Sequence, residues 1–358
     1  MRATWLITTS LLLACEQGAC GHSQANATGA SAAHEPMRAA ASAAPAGAHL
    51  PLVVVADVDL PGKAVRLDYQ DIDTNRGQLV IAHMNDAAVV VADLRSGSVL
   101  KRLTGIPTPR GIAIASDAAR IFVTSSPDRL VVIDSASLTE MSRVPTGHGP
   151  DGVAWDPAHK TVGVSDQNDG ALSLIADAGD GKRVQVALGH ETGNVVFDSV
   201  RGWFWITVVT TSPPDQLVAV DPPAAKVTMR ISLPGCNGAH GLRLHPDGGS
   251  AFIACESNSV LTRVDLNGAH SVAKAPTGDG PDVLSIDPGL GWLYVAAESG
   301  DLTVFDLRLP GVVLVGHDRP GDNAHSIAVD PTTHRAFFPL LSGPKGTPVL
   351  RIMRPSGV

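Results

Sequence analysis

Apolar positions along this chain come in short bursts that return at a near-constant interval. One set of bursts reads "LVIAH", "IFVTS", "VGVSD", "FWITV", "AFIAC", "LYVAA" and "AFFPL". Before each lies an alternating run opened by a polar, Gly-rich phrase, as in "GHGPDGVAWDP" from Gly147, "CNGAHGLRLHP" from Cys236, "GDGPDVLSIDP" from Gly278 and "GDNAHSIAVDP" from Gly321. Fainter copies start at Ile106 and Gly189, and the faintest, "AVRLDYQDID", at Ala64. Aligned, the copies share a polar column of Asp68, Arg110, Asp151, Gly193, His240, Asp282 and His325, spaced 42, 41, 42, 47, 42 and 43 residues apart.

The runs are β-branched, bounded by Gly, Pro, Asp and Asn, and show no helical period, so they predict strands. Each unit holds four of them, the third usually closed by Asp: Asp93, Asp134, Asp177, Asp221, Asp265 and Asp306. Four strands repeated at about 42 residues predict propeller blades. The expected fold is therefore all-β, a seven-bladed β-propeller. After His325 only three strands remain, and "LPLVVVADVDL" (Leu50 to Leu60) is expected to supply the fourth. An N-terminal strand in the last blade would close the ring and leave no open seam.

The phrases "LYVAAESGDLTVFD", "GPDGVAWDP" and "AHSIAVDP" resemble the YVTN-type repeats of YncE-like exported bacterial proteins, over roughly residues 50 to 356. The resemblance implies the repeat fold and export, and little chemistry.

Composition narrows the partners. A formal charge of −8 argues against nucleic acid, which needs a basic face. Arg2 precedes an apolar run from Trp5 to Ala14 that is too short to span a bilayer and ends "LLLAC". That ending is similar to a lipobox, with Cys15 as the lipidated residue and the membrane reached through its lipid. The alternative is an ordinary cleaved signal peptide cut after Ala27. Either way the chain is expected in the periplasm or cell envelope. The expected organisation is a signal peptide at 1–15, a low-complexity tether at 16–48, and the propeller at 49–358. Cys20 falls in the tether, while Cys236 and Cys255 fall in one blade, where an oxidising compartment permits a disulfide; two free thiols are the alternative.

Five residues after the column stand Asp73, Asp156, Asp198, Asp287 and Asp330, often before Pro, in the turn between first and second strands. A short carboxylate there accepts backbone N–H groups, so these are read as turn residues, with His159, His245 and His334 as solvated turn neighbours. The polar column differs in kind, since its members ring one mouth of the central channel. The ends of the second strands add His83, Ser125, Asp166, Glu256 and Glu298 at the same level. Loops before the inner strands add His148, His190, Asn237, Asp279 and Asp322.

One hairpin pairs Asp68 with His83, Arg110 with Ser125, Asp151 with Asp166, His240 with Glu256, and Asp282 with Glu298. Clustered carboxylates and imidazoles suit a divalent cation: Ca²⁺ with oxygens alone, Mn²⁺ or Zn²⁺ if His joins. His240, Glu256, Asp282 and Glu298 are the expected metal ligands. His325, in the next blade, could complete the set, although it faces apolar Leu340 in its own hairpin. The ligand-binding set is expected to be Asp68, His83, Arg110, Asp151, Asp166, His240, Asp282 and His325. Polar mouths also hydrogen-bond blade to blade and hold ordered water, so a structural role for each position stays open.

No GxSxG, HExxH or P-loop motif occurs. Two readings follow, since fold alone does not give function. The first is an exported propeller that binds a small ligand, an envelope polymer or a protein at its channel face. The second is a metal-dependent hydrolase similar to propeller lactonases of the gluconolactonase type. A quinoprotein-like dehydrogenase has less support, because Trp is scarce (five residues) and no cofactor motif is present.

Overall fold

The structure is a computed structural model that describes residues 49–176 and 182–357. Cys15, Cys20, Asp177 and the segments expected as signal peptide and tether lie outside the described residues. Strand β1 (Leu52–Asp59) is followed by six four-stranded blades in chain order. Blade 1 holds β2 (Gln70–Asp73), β3 (Gln78–His83), β4 (Ala88–Asp93) and β5 (Val99–Thr104). Blade 2 holds β6 (Ile112–Ala115), β7 (Arg120–Ser125), β8 (Arg129–Asp134) and β9 (Thr139–Pro145). Blade 3 holds β10 (Pro150–Asp156), β11 (Thr161–Asp166), β12 (Ala171–Ala176) and β13 (Arg183–Ala187). Blade 4 holds β14 (Thr192–Asp198), β15 (Trp203–Val208), β16 (Asp215–Asp221) and β17 (Lys226–Leu233). Blade 5 holds β18 (Ala239–Leu244), β19 (Ser250–Cys255), β20 (Val260–Asp265) and β21 (Val272–Pro276). Blade 6 holds β22 (Pro281–Asp287), β23 (Trp292–Ala297), β24 (Leu302–Asp306) and β25 (Val313–Asp318). Blade 7 holds β26 (Ala328–Val329), β27 (Ala336–Leu340) and β28 (Val349–Pro355), and β1 is its outermost strand, antiparallel to β28.

The innermost strands touch in a closed circle, β2 to β6, β10, β14, β18, β22, β26 and back to β2. The chain is thus a seven-bladed β-propeller with the closure its sequence predicts. Among the described residues the apolar core divides into seven clusters, and each fills the seam between two adjacent blades. This is why the second and third strands of most blades are apolar on both faces: each face packs against a neighbouring sheet. The seams are tight. A Cβ on Gly241 would stand 1.7 Å from the Asp282 carbonyl oxygen of the next blade, and one on Gly111 would stand 2.2 Å from that of Asp151. Only glycine permits that approach.

The repeated turn carboxylates behave as their spacing predicts. Asp73, Asp156, Asp198 and Asp287 each accept two backbone N–H bonds, from residues two and three further on, and Asp330 accepts one from Thr332. His334 departs from the solvated role expected of it. Its Nδ1 lies 2.8 Å from Asp287 Oδ2, tying blade 7 to blade 6.

Candidate functional site

The polar column owes its orientation to broken ladders. In blades 3 to 6 the pairing of first and second strands shifts register around Asp151, Gly193, His240 and Asp282. A bulge bends its strand and re-aims the side chain it carries, here toward the channel. In blades 1, 2 and 7 the column residues Asp68, Arg110 and His325 precede the innermost strand altogether. Hydroxyls of neighbouring blades fix the result: Thr124 Oγ1 donates to the Asp151 carbonyl at 2.6 Å, and Thr207 Oγ1 to the His240 carbonyl at 2.7 Å.

The side chains gather around a cup of about 490 Å³ at one channel mouth. Asp68, Arg110, Asp151, His240 and Asp282 line it, together with Glu256 and Glu298. His325 is buried beside it, its Nε2 4.0 Å from Asp68 Oδ1. Two residues expected here are elsewhere. His83 donates from Nε2 to the Lys63 carbonyl, and Asp166 accepts from the Gly147 N–H and the Ser173 hydroxyl. Ser125 likewise turns to the Pro107 carbonyl. All three brace the loop that leads into their own blade.

The cause is a single step along the second strand. Pro150 pairs with Asp166, Ala239 with Cys255 and Pro281 with Ala297. Alternation turns the following residues (Gln167, Glu256, Glu298) into the cup, and with them Met84 of blade 1. His83, Ser125 and Asp166 stand at the Cys255 position instead. In blade 5 that position is bonded to the same leading loop covalently, by a Cys236–Cys255 disulfide with Cα atoms 5.2 Å apart.

Five further polar residues at the cup carried no recognised signal in the sequence. Arg66 grips Glu298 through two hydrogen bonds of 2.9 and 2.6 Å. Gln167 accepts from Arg110 at 3.1 Å and donates to Glu191 at 2.9 Å. Tyr69 donates to Asp282 Oδ1 at 2.9 Å and accepts from Asn194 Nδ2, across from blade 4. The Tyr69–Asn194 contact forms the floor. Below it lies a void of about 60 Å³, and beyond that the opposite mouth, lined by Ala113, Ala154, Trp155, Val195 and Phe197. Tyr69 and Asn194 each follow a column residue, where blades 2, 3 and 5 have Gly111, Gly152 and Gly241; that break was the available signal.

The charge is lopsided: Asp68, Asp151, Glu191, Glu256, Asp282 and Glu298 face Arg66 and Arg110. Burial, with the Asp282 and Asp151 carboxylates beside it, pushes Asp68 up to about 8; Arg66 and Arg110 offset this only in part. Burial also raises Glu256 above its ordinary range. Burial opposes the charge of His240, but Asp151 at 3.5 Å and Asp282 at 3.6 Å, joined by Glu256 and Asp68, hold its imidazole above the usual range. Burial would raise Glu298 as well, yet the Arg66 bonds hold it below the usual carboxylate range.

Glu298 is thus committed to Arg66, and the expected quartet of His240, Glu256, Asp282 and Glu298 does not come together as one ligand set. Among the described residues the group that could hold a metal ion is Asp68, Asp282 and His325, whose ligand atoms lie within 4.8 Å of one another. Lacking an acidic partner in its own hairpin, His325 finds two carboxylates in the adjoining blades 1 and 6. The loop histidines stay outside the cup: His148 is exposed and pairs with Asp128, and His190 is exposed on the rim.

No protein-family model matches the chain. No curated protein matches it either. Among solved structures it is similar to a chain of Kuenenia stuttgartiensis hydrazine synthase, at 17% sequence identity and a TM-score of 0.68. The match covers 80% of this chain and 94% of that one. At that identity the likeness carries the fold: this chain is a seven-bladed β-propeller.

Proposed function

We propose that this chain is an exported, lipid-anchored propeller of the YncE-like kind that captures a small polar ligand in the acidic cup of its channel face. Export and anchoring rest on the apolar run ending at Cys15. Ligand capture rests on one observation: a blind cup of about 490 Å³, walled by charged side chains from six blades and floored by the Tyr69–Asn194 contact. That volume suits a small molecule. With Asp68 pushed up to about 8, five other carboxylates remain against two guanidiniums and favour a ligand rich in hydrogen-bond donors and of zero or positive charge, an amine or a polyol.

The test is calorimetric titration of the full chain, in EDTA, with a panel of amines, polyols and carboxylic acids. Binding of an amine or polyol, weakened at least tenfold in Glu256→Gln, is expected. Preference for the acids, or no binding across the panel, overturns the reading; a polymer or protein that binds with its side chains in the cup would replace the small ligand.

A metal-dependent hydrolase of the gluconolactonase-like type is the second reading. It is favoured by the Asp68–Asp282–His325 group, because a bound ion could polarise a carbonyl or activate water. Hydrolysis of small lactones by metal-supplemented protein, abolished in Asp282→Asn, would replace simple capture with catalysis.

A further inference from the structure

The structure assigns a divalent-cation site of the Mn²⁺ or Zn²⁺ class to Asp68 and Asp282 in the wall of the cup and to His325 buried beside it. It shares the cup with the capture reading but does not depend on which ligand enters from above.

The histidine is the decisive observation. His325 is 1% exposed, and its Nε2 is buried with no hydrogen-bond partner. Its Nδ1 lies 3.2 Å from the Asn323 carbonyl, which can only accept, so the ring proton sits on Nδ1. In the neutral ring Nε2 then offers its lone pair toward Asp68 Oδ1, 4.0 Å away. A buried imidazole nitrogen without a hydrogen-bond partner, gathered within 4.8 Å of oxygens of two carboxyl groups, is satisfied by a cation that takes the place of the acid proton. A backbone carbonyl accepting from the far nitrogen is also the usual arrangement behind a metal-bound imidazole.

The carboxylates are held in place too. Asn194 donates to Tyr69 and Tyr69 donates to Asp282 Oδ1, a relay that orients the Asp282 carboxylate from outside the ligand set. Arg66 approaches Asp68 and Asp282 to 4.0 and 3.9 Å, but its two hydrogen bonds go to Glu298. It donates no hydrogen bond to Asp68 or Asp282, whose oxygens therefore keep lone pairs for an ion. Metal–ligand bonds of roughly 2.0–2.2 Å would reach all three residues after small side-chain adjustments. Two carboxylates with one imidazole, and the cup open above for water, suit Mn²⁺ or Zn²⁺ better than Ca²⁺ or Mg²⁺, which prefer oxygen alone.

The experiment is titration of the full chain, without an affinity tag, with Mn²⁺ read by loss of the free-ion electron paramagnetic resonance signal. Zn²⁺ and Ca²⁺ serve as competitors. One Mn²⁺ per chain is expected, displaced by Zn²⁺ and not by equimolar Ca²⁺. His325→Ala and the near-isosteric Asp68→Asn should each weaken binding at least tenfold, and Tyr69→Phe roughly tenfold, with thermal melts in EDTA confirming that each variant folds. Asp68→Asn and Tyr69→Phe keep the test decisive if His325→Ala does not fold. No loss of free Mn²⁺ signal, or folded variants that bind as wild type does, overturns the assignment. The ligand panel run in EDTA bears on capture alone, so the two readings fail separately.

Discussion

At the residue scale, Asp68 shows what the ring does to an ordinary side chain. In the unfolded chain its carboxyl titrates near 3.9; in the fold, burial and the facing carboxylates move it up to about 8. Between those values the folded chain holds a proton that the unfolded chain has released. The contribution of Asp68 to stability therefore falls as pH rises from about 4 to about 8. His240 adds to the same trend: its charge stabilises the fold fully below its unfolded value, and that gain is lost as pH rises through the higher folded value. Thermal melts in EDTA from pH 5 to 9 should thus fall more steeply for wild type than for Asp68→Asn, which stays neutral throughout. Parallel slopes would show that Asp68 titrates normally. None of this could be read from the column itself, where Asp68 stands as one member among seven; its neighbours Asp282 and Asp151 belong to other blades.

At the element scale, each blade has to hold the loop that leads into its innermost strand. Blades 1 to 3 do so with His83, Ser125 and Asp166, and blade 5 with the Cys236–Cys255 disulfide. Loss of the disulfide in Cys236→Ala/Cys255→Ala should cost about 3 kcal/mol, as for a closed loop of this size. Asp166→Ala should cost about 1–3 kcal/mol, because it strands the buried Gly147 N–H and Ser173 hydroxyl. Urea unfolding checks both, and a loss under 0.5 kcal/mol (roughly, the size of a neutral surface change) in either would show that its loop is held by packing alone. The hairpin spacing brought these residues and the cup residues to the same strand ends. It did not separate them, because residues one apart on a strand face opposite ways.

At the scale of the whole molecule, the ring depends on β1. That strand pairs with β28 along its length, and Leu52 joins the core between blades 6 and 7. A chain beginning after Leu60 would expose the β28 edge and open that seam. It should lose its cooperative thermal transition and associate, as unpaired edges do; size-exclusion chromatography and a melt decide. A monomeric, cooperatively melting truncation would mean that β28 is protected without its partner. In the intact chain, β1 itself is an edge with Val53, Val54 and Val55 exposed, and its register shift at Val54/Ala56 twists that edge out of regular pairing.

The repeat alone determined the blade count, the four strands in each, the closing role of Leu50 to Leu60 and the turn work of Asp73, Asp156, Asp198, Asp287 and Asp330. Those features are local, or recur at one period, and so leave a mark on every copy. Tertiary structure decided the cup. Arg66 reaches Glu298, Tyr69 reaches Asp282 and Asn194, and His325 reaches Asp68, in every case across from one blade to another. Such partners share no hairpin and no spacing, and which side chains point inward turns on one step of strand alternation and on the bulges at Asp151, His240 and Asp282. Ring closure brings them together, and it is there that a column of turn-like polar residues becomes a site able to hold an ion.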